Sequence, residues 1–76
     1  MNFKVYEDDC RTFNMCELET LKRPALYSWC TLDGKEYHGL PWMTFRSADY
    51  IQIICQGNKI ISIPKNNIKA IYKLFK

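Results

Sequence analysis

Residues 49–63, DYIQIICQGNKIISI, decide the fold class. Ile51, Ile53 and Cys55 alternate with Gln52 and Ile54, Ile61 and Ile63 flank Ser62, and Gly57-Asn58 stands between the two runs. Period-two alternation on both sides of a turn signal predicts a β-hairpin over 49–55 and 59–63. A three-residue loop sets Ile51, Ile53 and Cys55 facing Ile61 and Ile63, and these strands are expected at the centre of the core.

Upstream, β-branched and aromatic residues fill 26–32 and 35–39, and Asp33-Gly34 between them is the pair a type I′ turn wants. A two-residue turn there sets Trp29 opposite His38 and Cys30 opposite Tyr37. Residues 40–46, LPWMTFR, break the pattern, because Pro41 has no amide hydrogen for a ladder; they read as a loop or irregular edge. Phe3 and Val5 alternate with Lys4 and Tyr6 as a short strand over 2–7. Asn14 then reads as a helix cap, with Glu17 as its capping-box partner and Phe13 and Leu18 as a hydrophobic staple. This predicts a two-turn helix from Met15, closed by Lys22 and Arg23 and stopped by Pro24.

The last segment fits two periods. Ile68, Ile71, Tyr72 and Phe75 lie on one helical face, whereas Ile68, Ala70, Tyr72 and Leu74 lie on one face of a strand. A short turn over 64–67 followed by a strand is favoured, because a last strand beside residues 2–7 would remove two exposed edges. The expected fold is therefore mostly β, formally α+β: a partly open barrel of about five to six antiparallel strands with one short N-terminal helix. In order of elements it is similar to SH3-like and Sm-like small barrels, a resemblance of pattern that no family motif accompanies.

A chain of 76 residues is too short for two cores, so residues 1–76 are expected to form one domain, with oligomerisation a further source of stability. No stretch approaches the roughly 20 apolar residues that span a bilayer, and residues 1–9 carry Glu7, Asp8 and Asp9 where a signal peptide has a basic head and an apolar run. These features give a cytoplasmic protein without membrane contact, its four cysteines reduced. Eight Lys against three Arg, with abundant Ile and Asn, suit an AT-rich genome such as that of a low-GC bacterium or its phage.

Chemistry-bearing groups are sparse. Cys10, Cys16, Cys30, Cys55 and His38 lack the close C-x2-C pair of small zinc domains, so no metal site is assigned. In the expected register Cys30 and His38 lie on opposite faces of their hairpin, which separates the thiol from the only base. Asp8/Asp9 and Glu17/Glu19 are solvated pairs, and no glycine-rich phosphate loop is present. The chain is therefore read as non-enzymatic and without a cofactor.

Two binding surfaces are left. Pro41, Trp42, Met43, Phe45 and Arg46 concentrate the residue types enriched at the centres of protein interfaces. They are the expected contact to a protein partner or a second copy, as in a small accessory or inhibitor protein of a phage or mobile element. The alternative is nucleic acid on a C-terminal lysine face. Residues 50–76 carry five lysines (Lys59, Lys65, Lys69, Lys73, Lys76) and no acid, with Tyr50 and Tyr72 as stacking groups.

Overall fold

The Ile-rich hairpin forms in the expected register. In the computed structural model, which describes residues 2–7, 9–21 and 25–75, Ile51 pairs with Ile63, Ile53 with Ile61 and Cys55 with Lys59. The three-residue loop turns through Gly57 at φ 82° and Asn58 at φ 61°, left-handed values that glycine and asparagine tolerate best. The strands are β1 (Asn2–Tyr6), β2 (Phe13–Glu17), β3 (Leu26–Thr31), β4 (Glu36–Met43), β5 (Tyr50–Cys55), β6 (Lys59–Pro64) and β7 (Ile68–Phe75). They make one open sheet in the order β2-β1-β7-β3-β4-β5-β6.

The last segment is a strand, entered through a 3-10 turn at Lys65–Asn67. It lies beside β1 as expected, but the pairing of Val5 with Ile71 and Tyr6 with Tyr72 is parallel. The expected five to six antiparallel strands are thus seven, with one parallel pair. Ile51, Ile53 and Ile63 of the hairpin lie in the core as expected, although β6 stands at one end of the sheet, and among the described residues β2 and β6 are each paired on one side only.

The sheet is strongly curled. Phe3 and Val5 of β1 share one buried cluster with Ile51 and Ile53 of β5 and Ile63 of β6. At about 4.8 Å per strand a flat sheet would hold β1 and β5 roughly 19 Å apart. Trp29 on β3 fills the middle of the cluster, fully buried, and its indole N–H donates to the Gly39 carbonyl at 3.1 Å. Irregular pairing between β3 and β7 near Thr31 lets both Ile68 and Ile71 reach the core despite their odd spacing.

The expected helix from Met15 is a strand instead. β2 pairs antiparallel with β1, Met15 opposite Lys4 and Phe13 opposite Tyr6. Asn14 does not cap: its amide donates to Glu7 at 2.8 Å. Nor is there a staple, since Phe13 is 44% exposed while Leu18 is buried. The connecting turn is built on Asp9, whose carboxylate accepts from the amides of Arg11 at 3.1 Å and Thr12 at 3.3 Å. Helical geometry is limited here to one 3-10 turn at Leu18–Thr20, and the proposed stop at Lys22, Arg23 and Pro24 lies outside the described residues. Among the described residues no helix is long and apolar enough to cross a membrane.

The β3–β4 hairpin is present but slipped by one residue. Trp29 lies opposite Tyr37, Ser28 opposite His38 and Cys30 opposite Glu36. The loop has three residues, because the Thr31 amide donates to the Lys35 carbonyl at 2.9 Å. Gly34 takes the left-handed position at φ 88°, and the Thr31 hydroxyl bonds the Asp33 carboxylate. Asp-Gly thus serves a turn closed by a glycine bulge in place of a type I′ turn.

Candidate functional site

The segment read as a loop over 40–46 is in part strand. Pro41 and Met43 end β4, pairing with Ile53 and Gln52, and the register breaks between them. Trp42 at that break is 43% exposed, and Phe45 in the following turn is 64% exposed. Tyr50, which opens β5 opposite Pro64, is exposed on the strand that follows.

The backbone beneath Phe45 is fastened at several points. Lys65 Nζ donates to the carbonyls of Phe45 at 2.7 Å and Arg46 at 3.2 Å. The Ala48 amide closes the turn on the Phe45 carbonyl at 3.2 Å, and the Lys65 amide bonds the Asp49 carbonyl at 2.8 Å. The Arg46 guanidinium reaches across to the other end of the curled sheet, where it bonds Glu17 and lies 3.6 Å from Glu19. A cleft of about 470 Å³ opens beside this clasp, with Phe3, Leu18, Ala48 and Pro64 as apolar walls and Asp49 at its rim.

The one-residue slip in the β3–β4 hairpin also assembles a polar cluster, since directly opposed residues share a face. Ser28, Cys30, Glu36 and His38 share the face of the sheet opposite Trp29, with Ser28 buried and Glu36 and His38 exposed, correcting the expectation that Cys30 and His38 face apart. The Ser28 hydroxyl donates to Glu36 Oε2 at 2.7 Å, and His38 Nε2 meets the same oxygen at 2.7 Å. The carboxylate therefore stands between hydroxyl and imidazole. A hydrolytic triad needs the imidazole in that middle position, so this order does not set the imidazole on the serine. Among the described residues no three His, Cys, Asp or Glu gather to hold a metal ion, and all four cysteines are free thiols. Burial raises the Cys55 thiol above its ordinary pKa.

The C-terminal lysines are not gathered on one face. Lys59 belongs to β6, and Lys69 and Lys73 to β7, with β3, β4 and β5 in between. Lys65 is occupied by the two carbonyls, and Lys76 lies outside the described residues. Tyr72 sits apart from Tyr50, stacked on Tyr6 with ring centroids 4.7 Å apart.

Comparison with protein-family models, curated proteins and solved structures returns no match.

The electrostatics of these surfaces predict an acid-sensitive fold. The Arg46 guanidinium holds Glu17 below its ordinary pKa, the Ser28 hydroxyl and then His38 do the same to Glu36, and backbone amides lower Asp9. Groups depressed in the folded state contribute stability that is complete above their unfolded values and is lost as pH falls through the folded ones. The melting temperature should be flat from about pH 7 to pH 5 and drop below roughly pH 4. Glu17→Gln should flatten part of that drop; an unchanged acid profile in this variant would refute the contribution of the Arg46 clasp.

Proposed function

We propose that this is a non-enzymatic binding protein that seats Phe45, with Trp42 beside it, on a protein partner or a second copy of itself. The observation that carries this reading is a contrast within one turn: the Phe45 side chain is 64% exposed, while its own carbonyl is held by Lys65 and Ala48. An exposed aromatic costs solvation, and ordering the backbone under it costs entropy. Both become useful on binding, because a pre-ordered anchor loses less freedom than a mobile one. Action would be steric, by covering part of a larger machine as an inhibitor or adaptor does. The partly open barrel of SH3-like or Sm-like kind enters this proposal as curvature alone, supported by the core that β1 shares with β5 and β6.

Two measurements test it: sedimentation velocity over a concentration series for self-association, and quantitative affinity capture for a partner. Phe45→Ala and Trp42→Ala should each weaken the association about tenfold or more, as hot-spot aromatics do. Lys59→Ala, at the far end of β6, should leave it unchanged. If the aromatic variants remain folded and associate as the unaltered protein does, the docking role is wrong.

A further inference from the structure

We infer that a second copy of this chain pairs with it through the free edge of β6, antiparallel about a two-fold axis, so that two sheets become one. The Lys65 amide bonds the Asp49 carbonyl, which makes these two residues a hydrogen-bonded pair. The same register runs without a shift along β5 and β6 to Cys55 and Lys59, and hydrogen-bonded pairs alternate with non-bonded ones in an antiparallel ladder. Ile61 and Ile63 therefore direct their backbone groups at β5, whereas the N–H and C=O of Ile60 and Ser62 point away from it. β6 ends the sheet, so among the described residues no strand meets these groups. Lys59, Ile60 and Ser62 are all exposed, so the edge is open to solvent where they lie. An unpaired ladder edge is a template for another strand.

The edge suits its own copy. Pro64 has no N–H to offer, so a register that places it in a bonded pair forfeits a hydrogen bond. With Ile60 of one copy opposite Ser62 of the other, and the reverse by symmetry, every outward N–H and C=O of these two residues finds a partner. In that register the two Ile61 side chains meet on the inner face, where Ile61 is only partly buried. The two Ile60 side chains, each 52% exposed, become diagonal neighbours on the outer face. The apolar row of Leu40, Ile54 and Ile60 across β4, β5 and β6 then continues into the same row of the other copy. Charge does not oppose the pairing, because Lys59, the one charged residue of β6, falls opposite Ile63 and not opposite itself. A six-residue edge is roughly 20 Å long at about 3.4 Å per residue. Such a seam buries less than the roughly 1,200 Å² of a stable complex, so the dimer belongs to the weak class and forms as concentration rises.

The test is sedimentation velocity on a series reaching about 1 mM, with amide hydrogen exchange followed by NMR at both ends of it. The dimer fraction should grow with concentration, and the Ile60 and Ser62 amides should exchange more slowly in the concentrated sample. Ile60→Lys sets two ammonium groups at the outer diagonal and should weaken the dimer about tenfold or more. An equimolar mixture of the Ile60→Lys and Ile60→Glu variants should recover it. Met15→Lys, the same change on the β2 edge, and Phe45→Ala, in the docking turn, should leave the protection of Ile60 and Ser62 as it is. A monomer throughout the series would overturn the inference, as would Ile60 and Ser62 amides indifferent to concentration. So would a dimer that Met15→Lys or Phe45→Ala abolishes while Ile60→Lys does not, or a mixture of opposite charges that stays monomeric.

Discussion

Trp29→Ala is expected to cost about 3–5 kcal/mol, the range for truncating a buried large aromatic. The whole stability of a domain this size is of the order of 4–11 kcal/mol. Trp29 has no exposed surface, meets Tyr27 edge to face at 5.7 Å between ring centroids, and lies on the strand that joins β7 to β4. The loss is of two kinds. The cavity removes contacts from both halves of the curled sheet, and the Gly39 carbonyl loses its indole donor, which on its own costs about 1–3 kcal/mol in a buried site. Trp29→Phe separates the two: it restores most of the volume and none of the hydrogen bond, so its deficit should be much the smaller. Urea titration followed by circular dichroism measures both. An alanine variant within about 1 kcal/mol of the unaltered protein would mean that the cluster repacks without its central ring.

The β5–β6 hairpin was legible because its turn chemistry and its alternation point to the same register, and no distant partner overrides them. β7 was legible through topology, since its own residues fit a helix as well as a strand and only the advantage of covering the β1 edge decided between them. Local signals failed where a distant partner supplied more. Asn14 and Glu17 have the spacing of a capping box, but Asn14 bonds Glu7 across the first hairpin and Glu17 bonds Arg46, 29 residues further along the chain. In the β3–β4 hairpin the turn was placed correctly and its loop was one residue too short. The Thr31 hydroxyl and Gly34 at φ 88° define a three-residue loop, and that single residue moves every side chain of one strand relative to the other. Hence the Ser28, Glu36 and His38 cluster was invisible to pattern reading.

Of the candidate surfaces, the exposed aromatics of residues 42–46 were legible from composition, because a small core cannot bury all of them. Their fastening by Lys65 was not, since that lysine read as part of a cationic face. The packing of Phe13, Tyr6 and Tyr72 against one another was hidden for a different reason. It joins three segments that become neighbours only once β7 lies between β1 and β3, whereas in sequence Phe13 has the spacing of a helix staple. The one available signal was that Tyr6 and Phe13 flank a polar turn, Glu7 to Thr12, as aromatics facing across a hairpin do.

Gly39→Ala is expected to be comparably damaging, through overcrowding instead of loss. A Cβ at this position would lie 2.8 Å from the Ile54 carbonyl oxygen, 3.2 Å from the carbonyl carbon and 3.3 Å from Cys55 Sγ. Two of those three atoms belong to the backbone of β5, which is held on its other side by β6, so relief requires moving the strand pair and not merely a side chain. Inserting one methyl group into packed surroundings costs about 1–3 kcal/mol, and a backbone obstacle places this case at or above the upper end. Gly57→Ala provides the contrast. Nothing lies within 4 Å of its added Cβ, and its φ of 82° is the sole obstacle, for which about 1 kcal/mol is the ordinary penalty. A second substitution, Cys55→Ala, removes the movable neighbour and leaves the carbonyl, so it should rescue little of the Gly39→Ala deficit. Melting curves of the three variants decide the matter: equal losses at Gly39 and Gly57, or full rescue by Cys55→Ala, would show that β4 and β5 can part at Gly39. Such parting would also carry Trp42 and Phe45 with β4, so the same variants report whether the docking turn depends on the close approach of these two strands.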